Sequence, residues 1–327
     1  MTTDHNENLH TPAPRLSRRE ALIRVTLGAG ALTAAGTLGA VPGALAAATE
    51  RPTAAPSLNV GAKDFTEDQL IGHMYTLLLQ QAGFSVTEHF NLPTSIAHSS
   101  LVRGDIDLYP EYTGTGLVVI LKSTAPNNDA AFYKAVAAGY QQRFHITWLK
   151  PSPMNDTQGL ATTQAVSKKF GFTTISGMVK QAPQLRAIMN SEFLNRPDGL
   201  PGLKRVYGNF TFKSQVIVAG AGSLRYAALT AGRGDVVVAF TTDGPIVGDH
   251  LVLLVDDKHY APPDQVAPVV RDSVLQKYPQ ISSALNKLAP TLTTTAITNL
   301  NYQVDGLHKD LATVAKTFLQ QHGLLKR

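Results

Sequence analysis

The chain has 327 residues and contains no cysteine. This absence excludes disulfides, thiolate metal sites and the lipid-modified amino-terminal cysteine of a lipoprotein. The formal net charge is +5, yet no block of five or more lysine or arginine residues occurs, which argues against nucleic acid as a partner. Beyond residue 48 there is no further transmembrane candidate. The roughly 280 residues that follow are enough for two medium-sized lobes, each with its own core.

Signatures of catalysis are missing as well. The ten histidines include no H-E-x-x-H motif and no pair at metal-ligand spacing, and no G-x-S-x-G elbow occurs. The glycines of residues 219–223 follow a predicted strand, and their N–H groups could cradle an anion, but they complete neither a P-loop nor a G-x-G-x-x-G motif. We therefore expect no metal, no cofactor and no enzyme activity. If the chain were an enzyme, Asp264 would be its only plausible base.

The amino terminus contains an export pattern. Residues 17–22 read Ser-Arg-Arg-Glu-Ala-Leu, a twin-arginine motif, and residues 25–48 form an uncharged run rich in glycine and alanine that ends in small residues. This pattern predicts a twin-arginine signal peptide over residues 1–48 and an extracytoplasmic location, in the periplasm or on the exterior of the cell envelope. The alternative is an uncleaved membrane anchor, because the run is long enough to span a bilayer, although its glycine and proline content disfavours one.

A ten-residue pattern occurs twice. Residues 104–113 and 232–241 each have glycine first, aspartate three positions later, an aromatic residue eight positions later and threonine behind it. Each copy follows a helix-like stretch and continues as a short apolar run of strand length, with the aromatic residue predicted just past the end of the strand. The repeat predicts two similar α/β lobes whose strand ends face each other, with Tyr112 and Phe240 on opposite walls of one cleft. The alternative is a chance match, since glycine and aspartate are common around turns.

The remaining pattern predicts alternating strands and helices. Residues 66–69 read Thr-Glu-Asp-Gln, a capping box that would open the first helix, and the tail from residue 272 is predicted to be helical and to pack on the first lobe. This gives an α/β fold with a discontinuous first lobe and two crossing segments. The other predicted strands are 58–63, 84–89 and 147–150, and the other predicted helix is 130–144. The second lobe is expected to run through residues 164–171, 175–181, 185–189 and 215–218, and residues 251–255 are expected to lead out of it.

Four segments carry a resemblance to a known family. Residues 60–67, 104–115, 196–199 and 240–244 resemble the glycine betaine/choline/carnitine family of substrate-binding proteins, which serve osmoprotectant ABC importers. The likeness covers nearly all of residues 57–325. It implies the two-lobed periplasmic-binding-protein fold with two crossing hinge segments. Lobe 1 would comprise residues 57–151 and 257–327, and lobe 2 would comprise residues 152–256. It further implies a monomer that carries a small-molecule ligand to a membrane permease and its ATPase.

The resemblance also implies binding residues. In relatives, a lysine, a threonine and an arginine meet the ligand's carboxylate, and the matching positions here are Lys63, Thr115 and Arg196. Relatives enclose the quaternary ammonium in a cage of tyrosines, because a methylated cation has no hydrogen-bond donor and is attracted to aromatic faces at about 0.5–2 kcal/mol per ring. Tyr112 and Phe240 keep two walls of this cage.

The other two walls differ from the family. Gln158 and Asp264 stand where relatives often have aromatic residues. Asp264 could pair with a cation directly, or it could hydrogen-bond a ligand that carries N–H or O–H groups. Several alternatives remain open. Gln158 and Asp264 could be rim residues, Lys63 an ordinary solvated lysine, Arg196 a surface arginine paired with a neighbouring aspartate, and Tyr112 a core residue.

We therefore expect an extracytoplasmic protein that captures a small quaternary-ammonium or zwitterionic solute and delivers it to an ABC permease. The alternatives are a lobe that senses a ligand for a membrane partner, or a binding protein for a different cationic or polyol-like solute.

Overall fold

The computed structural model describes residues 55–123, 129–219 and 222–326. The predicted signal peptide lies outside the described residues, as does part of the glycine-rich turn at residues 219–223. None of the helices in the described ranges has the length and apolar character needed to cross a membrane.

Strands and helices alternate along most of the chain. The strands are β1 Ser57–Lys63, β2 Ser85–Leu92, β3 Leu108–Tyr112, β4 Ile146–Trp148, β5 Gln158–Thr162, β6 Arg186–Asn190, β7 Ser214–Val218, β8 Val236–Phe240, β9 Val252–Leu253 and β10 Val266–Arg271. The helices are α1 Thr66–Gln81, α2 Thr94–Arg103, α3 Asp129–Phe144, α4 Gln164–Phe170, α5 Ile175–Gln181, α6 Ser191–Asn195, α7 Leu200–Tyr207, α8 Leu224–Thr230, α9 Gly244–Gly248, α10 Asp272–Lys277, α11 Gln280–Leu285, α12 Thr294–Asp305 and α13 Leu311–Gln321. A π-helical segment, Thr115–Ile120, follows β3.

The strands form two five-stranded sheets with the same plan. The first has the order β2-β1-β3-β10-β4, and the second has the order β7-β6-β8-β5-β9. In each sheet the first three strands are parallel, and the fourth runs antiparallel to its neighbours. This confirms the two-lobed α/β fold. The chain passes between the sheets twice, between β4 and β5 and between β9 and β10.

The repeated pattern has the same structural role in both sheets. Gly104 ends α2 and Gly232 follows α8, and both have positive φ angles, +86° and +70°, which glycine adopts without steric cost. The aspartate three positions later accepts a hydrogen bond from the backbone of the neighbouring parallel strand. Asp107 Oδ2 lies 2.7 Å from the nitrogen of Asn59, and Asp235 Oδ2 lies 2.8 Å from that of Arg186. Both aspartates therefore fix a strand pair.

The carboxyl-terminal helices complete the core of the first sheet. Val314, Phe318 and Leu319 of α13 belong to the same buried cluster as Leu58 of β1 and Ile71 of α1. The second sheet has separate buried clusters on its two faces. The tail is thus packed where the sequence led us to expect it, while the residue limits of the two lobes stay a prediction.

Some sequence-based expectations were wrong in detail. Residues 66–69 do not form a capping box, because α1 begins at Thr66 with Phe65 as its N-cap, and the Thr66 hydroxyl instead donates to Asp305 Oδ1 at 2.6 Å. Residues 251–255 contain β9, which pairs with β5 at the edge of the second sheet before the chain crosses back to the first. Tyr112 and Phe240 are the last residues of their strands, not residues just beyond them.

Candidate functional site

A small cavity lies where strand ends from both sheets meet. Lys63 ends β1, Tyr112 ends β3 and Phe240 ends β8, and carboxyl ends of parallel strands are where ligands bind in open α/β sheets. The cavity has a volume of about 50 Å³, roughly four times what one water needs. It shares Thr94, Glu192 and Arg196 with a larger outer cleft of about 1740 Å³.

Six of the seven residues predicted from the sequence line this cavity. They are Lys63, Tyr112, Thr115, Arg196, Phe240 and Asp264. The seventh, Gln158, is buried on β5 opposite Phe240 but does not line the cavity. One orientation of its amide satisfies both polar atoms, with the oxygen 3.2 Å from Arg196 Nη2 and the nitrogen 3.3 Å from the carbonyl of Asp198. The structure therefore places Gln158 behind Arg196.

Lys63 is a buried lysine with an internal partner. Its Nζ donates to Glu111 Oε1 at 2.5 Å, and the hydroxyl of Tyr109 donates to the other oxygen of Glu111 at 2.5 Å. The same Nζ lies 4.8 Å from the ring centroid of Tyr112. Only 2% of Lys63 is exposed, so it is not an ordinary solvated lysine.

Arg196 joins the two lobes and is also paired. It follows α6, and its guanidinium binds Asp198 with two hydrogen bonds of 2.9 and 2.7 Å. Its Nη2 also donates to Thr115 Oγ1, 3.2 Å away on the other lobe, and its Nη1 lies 3.3 Å from Glu192. Arg196 is therefore paired with its neighbouring aspartate, as one alternative held, but it is buried in the cleft and not on the surface.

Asp264 lies on the second crossing segment. Its Oδ1 accepts hydrogen bonds from the backbone nitrogens of Gly114 at 2.6 Å and Thr115 at 3.2 Å. A Cβ on Gly114 would lie 2.8 Å from the same oxygen, so the close approach requires glycine. Burial raises the pKa of Asp264 to about 8, although the charges of Arg196 and Lys63 act in the opposite direction.

Five further carboxylates line the cavity, and the sequence analysis named none of them as ligand-binding residues: Glu67, Asp156, Glu192, Asp243 and Asp305. Glu67 accepts from the hydroxyl of Tyr112 at 2.7 Å and from Asn301 Nδ2 at 2.9 Å, and Asp156 accepts from the hydroxyl of Thr242 at 2.5 Å. Burial raises the pKa of Glu67 to about 7 and also raises that of Asp156. Both had a signal, because Glu67 ends the 60–67 segment that carries the family resemblance, and Asp156 lies two residues before the lost aromatic position.

Two more aromatic rings line the cavity, Phe65 and Tyr226. Phe65 lies 5.8 Å from the ring of Tyr112, centroid to centroid. Tyr226 and Phe240 face the guanidinium carbon of Arg225 at 4.8 and 5.8 Å. The cavity thus has four aromatic walls, although only two were expected. Three of the four rings already have a cation of the chain nearby.

The ion pair beside these rings fixes their position. Arg225 Nη2 donates to Asp243 Oδ2 at 2.7 Å, and the hydroxyl of Tyr226 donates to the same oxygen at 2.5 Å. The backbone nitrogen of Phe240 is bonded to that oxygen too, at 2.7 Å. Across the described ranges, no group of three or more His, Cys, Asp or Glu side chains has an arrangement that could hold a metal ion.

The fold and cavity agree with what the sequence matches. The profile of the family described as the substrate binding domain of ABC-type glycine betaine transport system matches residues 56–321. The chain belongs to this family. It is therefore a substrate-binding protein of the ABC transport class, and its family consists of transport proteins that bind their cargo.

Individual relatives are similar over most of their length. The carnitine transport binding protein OpuCC of Listeria monocytogenes serotype 1/2a (strain 10403S) is 32% identical over 270 residues, covering 81% of this chain and 87% of that protein. The glycine-betaine-binding protein of Pseudomonas aeruginosa is 31% identical over 280 residues, covering 83% and 89%. A crystal structure described as a glycine betaine/carnitine/choline ABC transporter is 30% identical, covers 82% of this chain and all of its own, and has a TM-score of 0.68.

Proposed function

We propose that the chain captures a small quaternary-ammonium or zwitterionic solute between its two lobes and delivers it to the permease of an ABC importer. The observation that carries this proposal is that six predicted ligand-binding residues, drawn from both sheets and from the second crossing segment, line one cavity. Aromatic rings attract an organic cation, and the neighbouring carboxylates add Coulomb attraction. Relatives described as carnitine and glycine betaine binding proteins support the same ligand range.

The proposal includes the ligand-binding residues. Lys63, Tyr112, Thr115, Arg196, Phe240 and Asp264 would form the wall around the ligand, and Gln158 would hold Arg196 in place. Lobe 1 would comprise residues 57–151 and 257–327, with lobe 2 at residues 152–256. We further propose that the protein works as an extracytoplasmic monomer and that its permease is driven by a separate ATPase.

Thermal unfolding with and without candidate solutes tests the binding function. A ligand present at about 100 times its Kd stabilises the native state by about 2.7 kcal/mol. Choline, glycine betaine and carnitine should include at least one solute that raises Tm at millimolar concentration and is recovered unchanged. Chemical turnover of the solute would favour an enzyme instead, and the absence of stabilisation by any of these solutes would contradict the proposal.

The export route has its own test. Replacing Arg18 and Arg19 with lysine should leave the precursor in the cytoplasm, because the twin-arginine receptor recognises paired guanidinium groups. Fractionation of cells that express the variant and the unaltered chain gives the answer. Normal export of the variant would indicate a general secretory signal.

A further inference from the structure

The positive side chains of the cavity are already neutralised within the chain. Lys63 pairs with Glu111, Arg196 with Asp198 and Arg225 with Asp243. Two of these pairs, those of Lys63 and Arg196, have both partners at least nine-tenths buried. A ligand carboxylate would have to compete with an internal carboxylate for each of these cations.

Three nearly fully buried carboxylates of the cavity have only neutral hydrogen-bond donors. Glu67 is bound by Tyr112 and Asn301, Asp156 by the hydroxyl of Thr242, and Asp264 by two backbone N–H groups that both reach Oδ1. They are exposed by 3%, 4% and 6% of their surfaces. We call these three the carboxylate cluster.

The members of the carboxylate cluster are neighbours in space. The Asp156 nitrogen donates to the Asp264 carbonyl at 2.9 Å, which holds the two crossing segments side by side. Thr242 donates to Asp156, and its carbonyl accepts from the Asn301 amide that also binds Glu67. A desolvated carboxylate without a positive partner is costly, so the natural complement of this wall is a cation.

The aromatic rings of the cavity do not compensate for these carboxylates without a positive partner. Tyr112 has the ammonium of Lys63 4.8 Å from its centroid, and Tyr226 and Phe240 have the guanidinium of Arg225 nearby. Because these rings already face cations of the chain, they have less attraction left for a ligand cation, and carboxylates close to the ligand would supply the rest.

We propose that the carboxylate cluster of Glu67, Asp156 and Asp264 holds the positive group of the ligand, and that the cavity selects a small organic cation without a carboxylate. This inference rests on the proposed function and narrows its ligand class. A zwitterion would have to bring its anionic group into a cavity whose cations are occupied and whose carboxyl groups ionise when a cation binds, which disfavours it.

Four small probes separate the two chemical features. Choline and glycine betaine share a trimethylammonium group and differ in carrying a hydroxymethyl group or a carboxylate. Ethanolamine and glycine repeat that difference on an unmethylated ammonium. In calorimetry on the full mature chain, choline should bind at least about tenfold more tightly than glycine betaine, since a like charge beside a desolvated carboxylate costs at least this factor. Ethanolamine should likewise exceed glycine.

Two variants test the cluster itself. Glu67→Gln and Asp264→Asn keep the shape and remove a charge, and each should weaken choline about tenfold or more while leaving glycine betaine unchanged or stronger. Glu88→Gln is the matched control, because it removes a carboxylate from β2 of the same sheet that does not line the cavity, and it should change neither ligand. Far-UV circular dichroism checks folding, and the two variants are independent, so one that misfolds leaves the other to decide.

Proton exchange supplies a second readout. Binding of a cation should release protons from the cluster, because Glu67 and Asp264 have pKa values of about 7 and about 8 without ligand. Choline affinity should therefore rise from pH 6 to pH 9, and the heat of binding at pH 7 should differ between phosphate and Tris buffers. Glu67→Gln should reduce both effects. Glycine betaine binding more tightly than choline, or no effect of either variant on choline, would overturn this inference alone. If none of the four probes binds and carnitine does not bind either, the proposed function is overturned together with this inference.

Discussion

The two copies of the glycine–aspartate–aromatic pattern share a scaffold role and differ in chemistry. In both, the aspartate bonds the backbone of the neighbouring parallel strand. At the aromatic position they diverge. The Tyr112 hydroxyl donates to Glu67, which has only neutral partners, whereas Phe240 has no hydroxyl and lies beside the ion pair of Arg225 and Asp243. The duplicated fold supplies two similar strand ends, and side chains from elsewhere decide the charge of each.

The largest expected difference between the strand ends at Tyr112 and Phe240 is in how their contribution to stability depends on pH. The pKa of Glu67 is raised from its ordinary value of 4.5 to about 7, chiefly by burial. A group whose pKa is higher in the folded state stabilises that state fully below its unfolded pKa, and this stability is lost as pH rises through the folded pKa. The ligand-free protein should therefore lose up to about 3 kcal/mol from this group between pH 4.5 and pH 7.

Two substitutions at these ends separate the contributions. Glu67→Gln should reduce the pH dependence of the free energy of unfolding, measured by urea denaturation at several pH values, and Asp264, whose pKa is also raised, should keep part of it. Asp243→Asn removes the partner of Arg225 and should destabilise the protein at every pH in that range. An unchanged pH dependence in Glu67→Gln would show that Glu67 is ionised throughout the range.

The next largest effects are expected at Asp107 and Asp235, the aspartates that bond neighbouring strands. Asp107→Ala should cost about 3 kcal/mol and Asp235→Ala about 2 kcal/mol, because each leaves a backbone N–H and an arginine without their partner. Asp107 is the more buried of the two, at 9% against 16% side-chain exposure, and it also pairs with Arg271. The free energy of unfolding from urea denaturation measures both. A larger loss in Asp235→Ala would reverse the order, and asparagine at either position, which keeps an acceptor oxygen, should cost less.

The sheet plan was predictable in large part, and two strands, β5 and β10, were not. The periodicity indicated α1 and α3, and the strand-length runs indicated β1 and β3. β10 escaped because Pro268 stands in the middle of it, and a proline argues against a central strand. The structure pairs Pro268 with Pro110 of β3, so neither proline needs an N–H toward the other, while the Pro268 carbonyl accepts from Leu149 at 2.9 Å on the other side.

The sequence predicted which residues line the site, but not all of the pairs that these residues form inside the protein. The resemblance named Lys63 and Arg196 as residues that meet a ligand carboxylate, and both line the cavity. The partner of Arg196, Asp198, lies two positions away and was among the alternatives. The partner of Lys63 depends on folding, since Glu111 lies 48 positions away. Glu67 meets Asn301 across 234 positions. A single sequence gives no measure of which charges end up side by side at such separations.

The hydroxyl at the first aromatic position should have the smallest effect. Tyr112→Phe makes this strand end resemble the other one and removes a 2.7 Å bond to buried Glu67. We expect a loss of about 1 kcal/mol in the free energy of unfolding at pH 8, where Glu67 is mostly ionised. The loss should shrink at pH 5, because protonated Glu67 depends less on this donor. Phe240→Tyr is the matched control and has no such partner to gain; equal losses in both would contradict the difference between the ends.

The central claim is that ligand is held between the two lobes. Because the chain has no cysteine, Ser95→Cys on α2 and Arg205→Cys on α7 would place spin labels only on these exposed positions, which line opposite walls of the outer cleft. Double electron–electron resonance then measures the distance between the labels without ligand and with saturating choline or glycine betaine. We predict a narrower distance distribution centred at a shorter distance when ligand is bound. An unchanged distribution, under conditions where calorimetry shows the site to be saturated, would contradict the account.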